Sequence, residues 1–286
     1  RYAFKECSSL TSIIIPQSVV RIEENPFASC PNLHVTGLAD NPNFSLVDDF
    51  LLNKDRTELI LALPSISKRQ VVPDTVKTIN PSAFLGCEQL ESISIPFNVT
   101  SIGEKAFSDC YRLTSIGIPE SITVIQPLTF ANCRSLESVN IPISIEQIKS
   151  QAFTGCHKLA SIDFPNLEIA LDGGAFEKCF SLTSFEIPPG IVSVYSSLLF
   201  RCIHLTSVTI PSSVESIGDF AFSGCYELAS VELPERLKTI GKYSFSGCRA
   251  LSEVVFPEHT TSVHEEAFAQ CYELKSIKIL GRFISF

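Results

Sequence analysis

The chain is short of positive charge, of long apolar runs, of closely spaced cysteines and of catalytic signatures. Its 22 Lys and Arg are outnumbered by 31 Asp and Glu, leaving a net charge of −9. That deficit argues against nucleic acid or an anionic membrane as partner, since both call for a basic footprint. No apolar stretch approaches the roughly 18 residues of a membrane helix, so this segment is not expected to insert into a membrane. No Gly-rich phosphate loop, G-x-S-x-G elbow or H-E-x-x-H pair occurs. No two carboxylates are marked out as acid and base. The sequence therefore predicts no catalytic residue, no cofactor and no metal site. Methionine is absent, even at residue 1. The chain opens at Arg1-Tyr2-Ala3-Phe4 and closes at Phe286, in both cases inside a repeat, so the reading is a segment of a longer protein.

What is present is periodic. Cysteine stands at 7, 30, 87, 110, 133, 156, 179, 202, 225, 248 and 271, every gap being 23 residues except the 57 between Cys30 and Cys87. Proline keeps the same beat at 73, 96, 119, 142, 165, 188, 211, 234 and 257. Phenylalanine precedes the cysteine by three residues at Phe4, Phe27, Phe84, Phe107, Phe130, Phe153, Phe176, Phe222, Phe245 and Phe268, with Leu199 breaking the column. Within a unit, Leu90-x-x-Ile93-x-Ile95 follows the strand pattern of a leucine-rich repeat, and a period of 23 lies in the range of about 20–29 for such repeats.

The pattern dictates an architecture. Ile93 and Ile95 point to one side of a strand, Ser92 and Ser94 to the other. A single coil cannot bury its own apolar side chains, whereas stacked coils bury one another's. The expected fold is an α/β repeat solenoid spanning 1–286: a right-handed coil with one parallel sheet on the concave face. Pro96 ends the strand by withholding an N–H. Pro81 and Pro127 sit where a short helical or 3-10 turn is expected to begin on the convex face.

Residues 31–73 break the beat, since 57 equals two periods plus eleven. Two apolar runs, Phe50-Leu51-Leu52 and Leu59-Ile60-Leu61, flank a polar Asn53-Lys54-Asp55-Arg56-Thr57 turn. This reads as a β-hairpin, expected to project from the solenoid. Its acids, Asp48, Asp49, Asp55 and Glu58, lack the spacing and glycine of a calcium loop, and a solvated hairpin is the preferred reading.

The units Phe84-Leu-Gly-Cys87-Glu-Gln-Leu90-Glu-Ser-Ile93-Ser-Ile95-Pro96 and Phe222-Ser-Gly-Cys225-Tyr-Glu-Leu228-Ala-Ser-Val231-Glu-Leu233-Pro234 resemble the BspA-like, Treponema-type leucine-rich repeats over essentially the whole chain. The irregular unit resembles the longer variant of that repeat, with Asp49-Phe50 where the variant often has Asp-Gly. The resemblance implies an extracellular or cell-surface protein of host-associated bacteria or protozoa. It implies attachment to host cells, matrix proteins or other microbes, and it supplies no ligand-binding positions.

Eleven cysteines admit three readings: disulfides between neighbouring coils, zinc, or a buried thiol column in which cysteine serves as a small hydrophobe. Zinc favours close pairs, and no two cysteines here are nearer than 23 residues. An odd, identical column also pairs poorly, so the buried column is preferred. The histidines, His34, His157, His204, His259 and His264, do not converge on a nucleophile or carboxylate pair. Sequons occur at Asn43 and Asn98.

Three surface columns remain. Five residues after nine of the eleven cysteines stands serine (Ser12, Ser92, Ser115, Ser138, Ser161, Ser184, Ser207, Ser230, Ser276), with Glu253 an exception, and this column is expected to satisfy neighbouring backbone or serine groups. Seven residues after, Asp163 and Glu186 stand on adjacent coils with Glu232 two further on; acids a strand spacing apart repel, which hints at a cationic ligand. One residue after, Tyr111, Arg134, His157, Phe180, Tyr226, Arg249 and Tyr272 form a column rich in the residue types that dominate binding interfaces. The leading function is a non-catalytic adhesion or recognition module for a protein or glycan ligand, such as host matrix or a cell surface. The alternative is a structural stalk or interaction scaffold that positions another domain.

Overall fold

The computed structural model describes residues 2–38, 41–66, 68–281 and 285. Arg1 and Phe286, at the two ends of the repeat reading, and Asp40, at the start of the irregular unit, lie outside the described residues. The chain is a solenoid of stacked parallel strands. Ser92–Ser94, Ser115–Gly117 and Ser138–Asn140 pair in register one period apart, and Arg69–Val71 joins them. The central residues Ile93 and Ile116 are buried, while Ser115 and Gly117 beside them are exposed. A second ladder of two-residue strands runs beside the first. It includes Val124–Ile125, Gln147–Ile148 and Ala170–Leu171, then Ser193–Val194, Ser216–Ile217, Thr239–Ile240 and Ser262–Val263.

The first ladder is not the single continuous sheet the pattern predicts. Residues 161–164 and 230–233 lie in no strand and make no main-chain hydrogen bond among the described residues. Both coils carry alanine four residues past the cysteine, at Ala160 and Ala229. In other coils that position is Thr114 or Thr206, whose Oγ1 donates to Glu91 O at 3.1 Å and to Thr183 O at 3.0 Å in the preceding coil. Between the coils that begin at Cys156 and Cys179 the second ladder is open as well, since Ala170–Leu171 does not pair with Ser193–Val194. Phe164 and Phe185 face each other across this joint, with ring centroids 5.7 Å apart. The rings fill the space between the two coils at the joint.

The third side of the coil overturns an expectation. Among the described residues there is no α-helix and no 3-10 helix, so the helical turns predicted at Pro81 and Pro127 are absent. The segment is instead a string of tight turns. Ala83 N donates to Asn80 O at 3.1 Å, Leu85 N to Ser82 O at 3.1 Å and Cys87 N to Phe84 O at 3.0 Å. Pro81 is the second residue of the first turn, and Ser82, the third, has φ 58°. That is the arrangement of a type II turn. Gly86 repeats it in the last turn with φ 72°. The alternate N–H groups leave the coil: Ser82 N reaches Glu104 O, Phe84 N reaches Ala106 O and Gly86 N reaches Ser108 O, at 2.7–3.0 Å. A helix satisfies its N–H groups within its own segment. Here half of them serve the next coil, and the two positive φ values per turn segment interrupt any helical run.

Two residues of this segment build the core. Phe84, Phe107, Phe130, Phe153 and Phe176 stack with centroids 4.7–5.6 Å apart, and Phe222, Phe245 and Phe268 resume beyond Leu199 at 5.1 Å. All eleven cysteines are free, and all but Cys7 are buried. From Cys110 onward each thiol donates to the main-chain carbonyl three residues before the previous coil's cysteine, as in Cys110 Sγ to Phe84 O and Cys156 Sγ to Phe130 O, both 3.2 Å. A thiol suits this position because it fills space like a methyl group and still offers a weak donor.

The irregular unit forms the antiparallel strands Phe44–Val47, Phe50–Asn53 and Glu58–Ala62, the last of which joins Thr78–Ile79 in the second ladder. It does not project. Phe50, Leu52, Leu59 and Ala62 enter the main core. Phe44, Leu51, Ile60 and Leu61 enter a second core with Phe27, Cys30 and Leu33. The sheet is thus a partition, apolar on both faces, and Phe50 caps the phenylalanine stack edge-on against Phe84 at 6.0 Å.

Two outcomes follow. Amides of residues 161–164 should exchange with solvent far faster than the ladder amides of Ser115–Gly117, as followed by mass spectrometry; equal protection would contradict the open joint. Burial also pushes the core thiols up, to about 11 for Cys271 and about 12 for Cys202. The unfolded chain ionises its thiols near 8.5, so above that pH it binds fewer protons than the fold and stability falls as pH rises. The slope per buried thiol reaches about 1.4 kcal/mol per pH unit. The urea midpoint should hold level below that point and drop steeply above it, with Cys156→Ala reducing the slope by about one proton; a slope indifferent to that change would refute the account.

Candidate functional site

Each coil enters its first strand just after the cysteine, so the residue at that point is carried at the edge of the ladder in every coil. Stacking brings these edge residues into contact. The Arg134 guanidinium lies over the Tyr111 ring at 4.7 Å, and Arg249 lies over Tyr226 at 4.2 Å. His157 and Phe180 stack at 4.4 Å with 14° between planes. Ile203 separates this group from Tyr226. Tyr272, the next residue of the column after Arg249, is 70% exposed. The column is therefore a row of planar groups that stack in pairs with their edges open, and Tyr272 stands exposed beyond them.

The electrostatics of the row are distinctive in an acidic protein. Lysines in the first-ladder segments are paired with carboxylates: Lys68 with Glu91 at 2.9 Å and Lys158 with Glu137 at 3.4 Å. Arg134 and Arg249 have no such partner among the described residues, and each is held flat on a tyrosine. A stacked guanidinium keeps its in-plane N–H donors available. His157 is held below the usual histidine range, chiefly by partial burial and then by the adjacent Arg134 and Lys178 charges.

The acidic column is only partly assembled. Asp163 and Glu186 line one cavity of about 100 Å³ at the open joint, together with Ile162, Phe164, Leu167 and Pro189. Glu232 stands two coils further on and does not line it. The serines of the first ladder do not bond their neighbours as expected. Ser115, Ser138, Ser184 and Ser207 are exposed, and their hydroxyls meet no protein partner among the described residues. A hydroxyl pair does form on the second ladder, Ser193 to Ser216 at 2.7 Å.

Other candidates are dispersed. Asp48 and Asp49 turn one end of the strand Phe50–Asn53, and Asp55 and Glu58 follow its other end. Among the described residues no three His, Cys, Asp or Glu side chains are placed to hold a metal ion. His204 pairs with Glu227 at 2.8 Å on an exposed face. Both sequon asparagines are engaged: Asn43 Nδ2 donates to Val19 O at 3.3 Å, and Asn98 Nδ2 to Asp74 O at 2.6 Å. Among the described residues no helix is long and apolar enough to cross a membrane. A cavity of about 560 Å³ opens where the partition sheet meets residues 20–24, with Arg21, Glu23, Asn53 and Glu58 in its wall. No sequence motif announces it, because it lies between elements distant in the chain.

Comparison with known proteins agrees with the repeat. The model of the BspA type leucine rich repeat region matches in six copies, over residues 1–48, 65–179 and 169–286. The stretch between the first two ranges holds the strands Phe50–Asn53 and Glu58–Ala62. Among solved structures the chain is similar to a leucine-rich repeat protein from Bacteroides ovatus, at 27% identity and a TM-score of 0.64, over 96% of this chain and 79% of that one. It is also similar to a leucine rich repeat protein of Treponema pallidum, at 26% identity and a TM-score of 0.61, over 71% of this chain and 99% of that one. No curated protein matches the sequence.

His157 reports on the row directly. Nuclear magnetic resonance titration should place its pKa below 6.5, and Arg134→Ala should move it upward by removing an adjacent positive charge while the burial effect remains. An unchanged value would mean that the two side chains are not neighbours in solution.

Proposed function

This chain belongs to the BspA-type leucine-rich-repeat family, and from that premise we propose that it is a non-catalytic surface recognition module that attaches to a protein partner through its row of planar side chains. The observation that carries the proposal is the row itself: Tyr111 with Arg134, His157 with Phe180, and Tyr226 with Arg249. Large, rigid side chains with few rotors lose little entropy on binding, and tyrosine and arginine supply most interface hot spots. The open edges carry phenol, guanidinium and imidazole groups, which suit the carbonyls and carboxylates of a protein surface.

Host matrix proteins and host-cell surfaces are the partners this family membership favours, and an extracellular or surface location follows from the same reading. Asp163 and Glu186 add a place for a basic side chain of the partner, with its apolar stem against Leu167 and Pro189. A stalk that only positions another domain would use the same fold without the row, and the two readings separate experimentally. The folded segment should bind one or more immobilised matrix proteins, and the double change Tyr226→Ala with Arg249→Ala should weaken that binding by tenfold or more, about 1.4 kcal/mol. Binding to none of the matrix proteins or cells by a correctly folded sample, or binding indifferent to the double change, would overturn the proposal.

A further inference from the structure

The first segment at the phase of the second ladder has no partner there. Arg21 and Ile22 stand nine and eight residues before Cys30, as Thr78–Ile79 stand before Cys87 and Ser101–Ile102 before Cys110. Those two later strands are paired and bonded from coil to coil: Thr100 N donates to Lys77 O at 2.8 Å and Gly103 N to Ile79 O at 2.9 Å. The corresponding carbonyls here, Val20 O and Ile22 O, accept no main-chain bond. Residues 20–23 make no main-chain hydrogen bond at all among the described residues.

Two asparagines divert the N–H groups that could reach across. Asn43 holds the phase of Thr100, yet its N–H goes to Asn41 Oδ1 at 2.8 Å, and Phe44 N turns to the same oxygen at 3.2 Å. On the partition sheet Asn53 Oδ1 takes the N–H groups of Thr57 and Glu58 at 2.8 and 3.0 Å. Asn41 is fully buried and anchored in turn, its Nδ2 donating to Pro16 O at 2.8 Å. The gap is thus fixed by hydrogen bonds of the fold. The cavity of about 560 Å³ occupies it, walled by residues 20–24 together with Asn43, Phe44, Glu58 and Ile60. A break in the second ladder does not by itself open such a space: between Ile102 and Val124–Ile125 only about 10 Å³ remains.

The wall calls for donors and for positive charge. Its ionisable side chains are Glu23, Glu24 and Glu58 against Arg21. Arg21 meets Glu23 at 3.3 Å with both side chains mostly exposed, a contact that contributes little and exchanges readily with an incoming cation. Glu58 is exposed, and its carboxylate has no cationic partner among the described residues. Val20, 73% exposed, and Ile22, Ile60 and Pro81 supply an apolar part.

We propose that this cavity receives an extended, basic segment of a protein partner as an added strand. Main-chain N–H groups of the segment donate to Val20 O and Ile22 O, which stand two residues apart, as carbonyls do along one edge of a strand. Its alternating side chains set Lys or Arg toward Glu23 and Glu58 and an aliphatic group against Ile22 and Ile60. Strand addition draws affinity from main-chain bonds and specificity from places for alternate side chains, and both are present here. Free carbonyls beside three carboxylates reject an acceptor ligand such as a phosphate or a carboxylate. The volume falls within the roughly 300–1,000 Å³ of ligand sites. The site precedes Tyr111 in the solenoid, so it is separate from the planar row and does not rest on it.

The test is titration of the full chain with the end-blocked peptide Thr-Val-Lys-Val-Lys-Val-Thr, by fluorescence anisotropy of a labelled copy and by carbonyl-carbon nuclear magnetic resonance. The peptide should bind saturably and move the carbonyl resonances of Val20 and Ile22. Glu23→Gln with Glu58→Gln should weaken binding about tenfold, with thermal melting unchanged because both carboxylates are exposed. A copy N-methylated throughout keeps the charges and loses the donors, and it should not bind. Spermine, which supplies charge without a strand, should not displace the peptide at equal concentration. Tyr226→Ala with Arg249→Ala should leave peptide binding intact, so failure of the row and failure of this site are distinguishable. Absence of saturable binding at millimolar peptide would overturn the proposal. So would full binding by the N-methylated copy, displacement by spermine, or binding indifferent to the two glutamine changes.

Discussion

Everything in this solenoid depends on main-chain hydrogen bonds that pass from one turn segment to the next. Phe84 N to Ala106 O begins a series that continues at every coil through Phe245 N to Ala267 O. Neither strand ladder is continuous over that distance, and this one is. It fixes the coil spacing at which the phenylalanine rings stack, and it presents each Phe carbonyl to the thiol of the following coil. The positive-φ residues that make it possible include Lys105, Leu128 and Arg201, which lack the freedom of glycine. A left-handed conformation costs such residues about 1–2 kcal/mol, so the bonds between coils and the packing they enforce must outweigh a strain repeated along the whole chain.

The sequence disclosed the features that rest on residue identity and hid those that rest on geometry. Cysteine, phenylalanine and proline at constant phase announce stacking because few other side chains fill those places. The turn segment misleads for the opposite reason. Pro81 begins a helix and a type II turn equally well, and a leucine at position 128 gives no sign of positive φ. The partition sheet was half legible. The polar turn from Asn53 to Thr57 marks a hairpin, but Phe50-Leu51-Leu52 and Leu59-Ile60-Leu61 are apolar on both faces. Strands buried on both faces read as continuous apolar runs. A projecting hairpin would have wetted one face, so the runs themselves argue for the partition the structure displays.

At the surface the limit was adjacency. A column of Tyr, Arg, His and Phe can be found by phase alone. Phase does not reveal that Arg134 lies flat on Tyr111 or that Ile203 splits the row. The phase of the first-ladder serines predicts bonds to neighbouring backbone or serine groups, yet Ser115, Ser138, Ser184 and Ser207 stand open to solvent.

The joint between the coils of Cys156 and Cys179 shows how these levels connect. Phe164 and Phe185 meet across the gap in both ladders, and two features make that gap tolerable. Phe176 N still reaches Leu198 O at 3.1 Å and Lys178 N still reaches Phe200 O at 2.7 Å along the turn segment. The rings also fill the gap with aromatic contacts, Phe176 to Phe185 at 5.1 Å among them. The opening exposes main-chain polar groups of residues 161–164 to water instead of burying them unpaired, which would be far more costly. It also sets Asp163 and Glu186 around one cavity, so the break in strand pairing and the two facing acids belong to the same place in the fold.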